Sequence, residues 1–330
     1  MSVGNGNRSG NGAVRLLARD TKSKALRRFL RSPRVTRVAG ASDGLSAVLA
    51  ERNGFDAIWA SGLGISAVHA VPDASILTMR ELLDAATVMD EASSLPIVAD
   101  CDTGFGEVNN VVRMVREYER AGIAGVCIED KEFPKRNSFV DGHELADMYE
   151  FAAKIEIAKE SQDDPDFVVI ARLESLIAGA GFDDAFRRAC CYAHAGADAI
   201  LVHSKHQAAD EVLAFAHAWH ASGRTLPLVV VPTTYPAVTC ADLEQAGISA
   251  VIYANQSLRA GVLAMDAALA AIARAGSTAP VEHDLCTVKE VFALIGMDEI
   301  DRNEERFAEA VQRARAAVEE EVGDAHHALS

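Results

Sequence analysis

Ala121-Gly122-Ile123-Ala124-Gly125-Val126 closes a segment of helical periodicity and opens an apolar run that stops at Glu129. Glycine tolerates the left-handed conformation that ends a helix, and a run this short after it is too brief for anything except a buried strand. The same punctuation recurs at Asn53-Gly54-Phe55-Asp56-Ala57-Ile58, Ala195-Gly196-Ala197-Asp198-Ala199-Ile200 and Ala246-Gly247-Ile248-Ser249-Ala250-Val251. Between these copies lie β-branched runs at 36–39, 96–100, 167–172 and 228–231, which brings the strands to eight. Helical periodicity fills the intervals, as at 109–121, 183–195 and 256–274. Eight strands alternating with helices favour an α/β fold of the closed (β/α)8 TIM type, with a doubly wound open sheet as the main rival.

Polar residues close the second to eighth runs: Ser61, Asp100 with Asp102, Glu129, Arg172, His203, Thr233 and Asn255. In a barrel these positions gather at the C-terminal end of the strands, where active sites of this architecture sit. Asp100-Cys101-Asp102 puts two carboxylates at one strand end, and Glu129 ends the next strand. Hard oxygen donors of this kind suit Mg²⁺, and without a cation or a shared proton they would raise one another's pKa values. Alone, an Asp-x-Asp pair is equally a surface turn. Arg172 offers a planar guanidinium for a carboxylate or phosphonate, or else a simple ion pair with Glu174; His203 is a donor to a developing oxyanion or a satisfied core histidine. Trp59-Ala60-Ser61-Gly62-Leu63 follows the second strand, and Gly62 lets backbone N–H groups approach an anion, or merely makes a tight turn. Asp73 is a loop carboxylate, or a cap or turn residue.

Thirty-two Lys and Arg stand against 48 Asp and Glu, a formal net charge of −16. That balance repels nucleic-acid backbones and anionic lipid, so neither is an expected partner. An anionic substrate must then be drawn in by a local cation or metal. With 49% hydrophobic and 24% charged residues, the chain has the profile of a globular protein whose core needs no staples. No apolar run approaches the roughly 18 residues that a membrane span requires. The six cysteines lack C-x-x-C spacing, and Cys101 and Cys127 fall in apolar runs, which suits buried thiols in a reducing compartment such as the cytoplasm. Residues 1–21 read as a disordered tail, 22–300 as the barrel and 301–330 as a terminal helix or tail. Within the barrel segment, 22–31 reads as a basic surface helix leading into the domain.

The most specific segment is Glu129-Asp130-Lys131-Glu132-Phe133-Pro134-Lys135-Arg136-Asn137-Ser138, where a strand end runs into a proline-broken polar loop suited to a lid over an anion. This E-D-K-x-x-P-K-x-N-S pattern resembles the signature of phosphoenolpyruvate mutases, in the phosphoenolpyruvate mutase/isocitrate lyase superfamily. The likeness runs from about residue 36 to 295. It implies an (α/β)8 barrel whose eighth helix is swapped between subunits of a homodimer or homotetramer, and a reaction that interconverts phosphoenolpyruvate and phosphonopyruvate. It further implies Asp100 as the direct Mg²⁺ ligand, with Asp102, Glu129 and Asp73 holding its waters. Ser61, Gly62 and Leu63 match the stretch that binds the pyruvyl carboxylate, with Trp59 packing the pocket. Arg172 and His203 match residues that stabilise the transferring group, and Lys135, Asn137 and Ser138 match the gating loop.

Phosphonopyruvate hydrolases of the same family are the nearest alternative, differing in letting water take the phosphoryl group. The resemblance gives them Thr at the position of Asn137, which favours the mutase. On the other side, residues 70–77 and 231–236 read at least as close to the hydrolases. The family's A-H-N-G-L-S-A is altered to Ala41-Ser42-Asp43-Gly44-Leu45-Ser46-Ala47. The lyases of the superfamily carry a loop cysteine in K-x-C-G-H, and no cysteine lies between Glu129 and Ser138. A non-catalytic barrel would be expected to lack one of the strand-end polar groups.

Overall fold

A computed structural model of the chain describes residues 21–140 and 142–328. Apart from Thr21, the expected N-terminal tail lies outside the described residues. Eight parallel strands follow in chain order: β1 Thr36–Ala41, β2 Ala57–Ala60, β3 Ile97–Asp100, β4 Gly125–Glu129, β5 Val168–Leu173, β6 Ala199–Val202, β7 Leu228–Val230 and β8 Ala250–Tyr253. Each pairs with its neighbour, and β8 returns to β1, with Thr36 opposite Ala250 and Ala39 opposite Tyr253. The sheet is therefore closed, and the open-sheet rival is excluded.

Alternation along the strands sorts the apolar residues into two clusters. Ile97, Ala99, Val126, Ile128, Val169, Ala171, Ile200 and Val202 pack outward against the helices. Trp59, Val98, Cys127, Val168, Ile170, Ala199 and Leu201 fill the barrel. Because the side-chain period of a strand is two, the inward parity continues to the strand ends. Asp100 shares its face with Val98, Glu129 with Cys127, Arg172 with Ile170, and His203 with Leu201. The barrel interior thus changes from apolar to charged within one residue pair, and that step places the site.

The helix Lys22–Leu30 corrects the expectation of a simple surface helix. Leu26 and Leu30, four residues apart and so on one face, are buried in the cluster that fills the barrel. Arg27, on the same helix, donates to the backbone oxygens of Asp166 and Phe167 and pairs with Asp198 at 2.9 Å. Lys24 and Arg28 are exposed, but the helix closes the floor of the barrel opposite the strand ends that carry the polar groups.

After β8 the chain forms the helix Gln256–Ala275, none of whose residues is buried, then Val288–Leu294 and the long Asp298–Ala328. Val262, Leu263, Met265 and Leu269 on the first, Phe292 on the second and Phe307 on the third are exposed. Among the described residues no helix is long and apolar enough to cross a membrane.

Candidate active site

One cavity at the C-terminal mouth of the barrel is lined by Trp59, Ser61, Leu63, Asp73, Asp100, Lys135, Asn137, Ser138, Arg172 and His203, joined by Phe139, Thr233 and Asn255. Residues from six strand ends and two loops therefore meet where the sequence pattern puts them. Gly62, Asp102 and Glu129 support this lining from beside or beneath it. A Cβ on Gly62 would sit 3.1 Å from Asp100 Oδ2, so glycine is what allows the turn after β2 to press against that carboxylate. Ser61 caps the short helix Gly62–Val68 by accepting from Gly64 N–H at 3.1 Å.

Asp100 is buried and makes only long contacts with protein donors, from Gly62 N–H and Asp102 N–H at 3.4 Å each. Burial pushes its pKa up to about 6, reinforced by Asp102 and Glu129 and opposed by Lys135 and Arg172. Asp102 and Ser75 both take positive φ angles, 50° and 54°, which cost on the order of 1–3 kcal/mol each for residues with a side chain. The two meet: Ser75 Oγ donates to Asp102 Oδ2 at 3.0 Å and accepts from Lys135 N–H at 3.2 Å. Strain on the two loops is thus matched by a direct bond between them.

Five buried or near-buried carboxylates converge here, Asp73, Asp100, Asp102, Glu129 and Glu174, against three cations, Lys131, Lys135 and Arg172. The formal deficit is two positive charges. Asp102 Oδ1 and Glu129 Oε1 are buried with no hydrogen-bond partner, although Lys135 Nζ lies 3.0 Å from the first and Lys131 Nζ 3.5 Å from the second. These cations supply charge without aligned donors. Among the described residues no three His, Cys, Asp or Glu side chains converge to ligate a metal directly. A divalent ion that keeps most of its waters fits this donor set: one direct carboxylate, orphaned carboxylate oxygens for the waters, and a matching charge.

The loop after β4 is folded down over the mouth. Lys135 Nζ donates to Asp73 Oδ1 at 2.7 Å, and Asn137 Nδ2 donates to Asp73 Oδ2 at 2.6 Å. Burial opposes the charge on Lys135, but Asp102, Asp100, Glu129 and Asp73 outweigh it and hold the ammonium well above its usual range. Burial likewise opposes ionisation of Asp73, which Lys135 and Asn137 overcome, leaving its pKa lowered. Ser138 Oγ accepts from Lys131 Nζ at 2.7 Å and from an Arg172 nitrogen at 3.0 Å, and donates to Glu174 Oε2 at 2.8 Å.

Arg172 stands opposite Glu129 in the β4–β5 register and pairs with it at 3.3 Å, while its Nε lies 2.6 Å from Glu174 Oε1. Arg172 is therefore ion-paired, and it also lines the cavity. His203 Nδ1 lies 2.8 Å from Glu174 Oε1 and 2.9 Å from Arg172 Nη2; the carboxylate can only accept and the guanidinium only donate, and the shorter, charge-assisted contact with Glu174 favours the proton on Nδ1, which leaves Nε2 for a ligand. Burial lowers the imidazole's pKa, with Arg172 and Lys131 adding to it and Glu174 opposing. A neutral His203 then presents a lone pair at Nε2, so the expected donation to an oxyanion requires a proton that arrives with an anionic ligand. The sequence pattern assigns no role to Ser75 or Lys131 and offers Glu174 only as a local partner of Arg172. A carboxylate two residues beyond a strand-end arginine was the available signal.

Residues 26–273 match the model of the phosphoenolpyruvate phosphomutase family. A phosphoenolpyruvate phosphomutase from Tetrahymena pyriformis is 41% identical over 87% of this chain and 95% of its own. In structure, the chain resembles phosphoenolpyruvate phosphomutase from Streptomyces platensis subsp. rosaceus, with a TM-score of 0.84 and 52% identity over 87% of this chain and 99% of that one. It also resembles a phosphonopyruvate hydrolase solved with oxalate and Mg²⁺, with a TM-score of 0.82 and 44% identity over 87% and 99%.

Proposed function

Since this chain belongs to the phosphoenolpyruvate phosphomutase family, we propose that it interconverts phosphoenolpyruvate and phosphonopyruvate, with Mg²⁺ held at Asp100 and, through water, at Asp102, Glu129 and Asp73. The observation that carries the proposal is the loop bearing Lys135, Asn137 and Ser138, bonded down onto Asp73 and Glu174 above the carboxylates. When bound, Mg²⁺ supplies the concentrated positive charge that a pyruvate enolate needs.

In this reading the backbone N–H groups of Gly62 and Leu63, with Ser61, hold the substrate carboxylate, and Trp59 packs against the three-carbon chain. Arg172, His203 and Asn137 hold the phosphoryl group. Breaking the C–P bond leaves its electron pair on the carbon as the enolate, and the enolate oxygen then takes the phosphorus. No proton is gained or lost overall. A transferring phosphoryl group is open to any nearby oxygen nucleophile, so the lid has a chemical task, to keep water away until the enolate oxygen recaptures it.

A second reading is favoured by the 44% identity to the phosphonopyruvate hydrolase. There a water oxygen takes the phosphorus, and a proton from that water ends on the pyruvate carbon. Incubating the protein with Mg²⁺ and phosphonopyruvate and following ³¹P signals separates the two. Phosphoenolpyruvate is the expected product; inorganic phosphate with pyruvate would replace the proposal by the hydrolase.

The exposed apolar residues after β8 support a homo-oligomer in which the C-terminal helices of one subunit cover another. An apolar groove lined by Leu45, Leu49, Phe55, Val68, Tyr253 and Met265 runs along the β8–β1 side of the barrel and offers a seat for them. Light scattering on the full chain should give at least a dimer mass, and removal of residues 280–330 should lower it; a monomer at micromolar concentration contradicts the swap. Buried free thiols at Cys101 and Cys127 support a reducing compartment, the cytoplasm.

A further inference from the structure

Glu174 is fully buried, and its two oxygens face different partners. Oε1 takes the pair assigned above to the phosphoryl group, Arg172 Nε at 2.6 Å and His203 Nδ1 at 2.8 Å. Oε2 takes the lid, Ser138 Oγ at 2.8 Å and Lys131 Nζ at 2.9 Å. From behind, Glu174 N–H donates to Asp130 Oδ1 at 2.8 Å, and Asp130 Oδ2 accepts from Tyr192 Oη at 2.7 Å and Arg188 at 3.2 Å. A carboxylate needed only to neutralise Arg172 would be redundant, because Glu129 already lies 3.3 Å from that guanidinium.

We infer that Glu174 is a positioning residue that couples closure of the loop to the alignment of Arg172 and His203. The inference rests on the functional reading above only in calling those two residues the phosphoryl-binding pair. With the loop down, Ser138 and Lys131 fix Oε2, and the rigid carboxylate plane then fixes Oε1. That oxygen holds the Nε edge of Arg172 and the Nδ1–H tautomer of His203, so that Nε2 is the nitrogen presented to substrate. With the loop up, Oε2 loses the Ser138 donor and the plane is free to turn. The cavity is then organised for the phosphoryl group only when it is also covered, which keeps a reactive phosphoryl group from forming in an open site.

Glu174→Gln keeps the shape but replaces one acceptor edge with an NH₂ group, which must face either the Arg172–His203 pair or the Lys131–Ser138 pair. The expected result is a fall in kcat of about 10- to 100-fold with a smaller change in KM. Backbone amides in 131–140 should exchange hydrogen faster than in the unsubstituted chain, and combination with Ser138→Ala should cost less than the product of the two single effects. Ser138→Ala alone, which removes no charge, should shift the His203 ring nitrogens in a ¹H–¹⁵N spectrum, and the shift should be smaller in the Glu174→Gln background, which separates the path through Glu174 from the one through Arg172 Nη2, 3.0 Å from Ser138 Oγ and 2.9 Å from His203 Nδ1. Unchanged loop exchange in Glu174→Gln, multiplicative kcat effects, or unmoved His203 nitrogens in Ser138→Ala would each overturn the coupling. The exchange and NMR measurements need no turnover, so an unsubstituted chain that leaves phosphonopyruvate untouched counts against the functional reading and not against Glu174.

Discussion

Asp100→Ala is expected to lower turnover of phosphonopyruvate by at least about 10³-fold, the scale of losing a metal's charge from a transition state. The other carboxylates at the mouth each have a closer partner than Asp100, whose contacts are two N–H groups at 3.4 Å. Asp102 is engaged by Ser75 and Lys135, Asp73 by Lys135 and Asn137, and Glu129 by Arg172. The fold should survive. A carboxyl whose pKa is raised by folding, here to about 6 from 3.8, destabilises the folded state once it ionises, so the metal-free variant should melt no lower than the parent at pH 7. Steady-state rates, calorimetric Mg²⁺ titration and a melting curve check the three parts, and near-normal rates in the variant would end the metal assignment.

Arg172→Lys retains the charge and is nevertheless expected to cost about 10²–10³-fold in kcat/KM, comparable to the loss of one preorganised donor at a reacting anion. The guanidinium serves Glu174, Ser138 and Glu129 through a planar fork that a single ammonium cannot reproduce. Folding stability should fall by about 1–3 kcal/mol, because buried acceptors lose directed donors. Urea unfolding and the kinetics of the same preparation test both. A Lys variant within about threefold of the parent would mean that charge alone, without geometry, is sufficient.

Much of this was legible in the sequence because the physics that writes it is local. Glycine after a helix and a short apolar run after glycine identify strands one by one, and the parity of Val98 with Asp100 or Cys127 with Glu129 aims the terminal residue inward. Other features are set by contacts between distant segments. Nothing near Ser75 or Asp102 announces a positive φ, since that conformation is held by the bond between two loops. The second role of Glu174 depends on Ser138 and Lys131 arriving from the loop. Leu26 and Leu30 resemble the apolar side of any amphipathic helix until the open floor of a barrel gives them somewhere to go. Arg172 reads in sequence as an ion pair or a ligand-binding group, and in the fold it is ion-paired while also lining the cavity, because a guanidinium has donors to spare.

In the proposed reaction the lid bonded to Asp73 and Glu174 keeps water from the phosphoryl group. The most direct test follows phosphonopyruvate with Mg²⁺ in ¹⁸O-enriched water by ³¹P spectroscopy, in which a phosphorus bonded to ¹⁸O resonates at a shifted position. Phosphoenolpyruvate whose three non-bridging phosphoryl oxygens carry no ¹⁸O is the result the closed lid predicts, label in the bridging oxygen coming only from exchange of the substrate's ketone with solvent. Inorganic phosphate carrying the solvent's oxygen would contradict it.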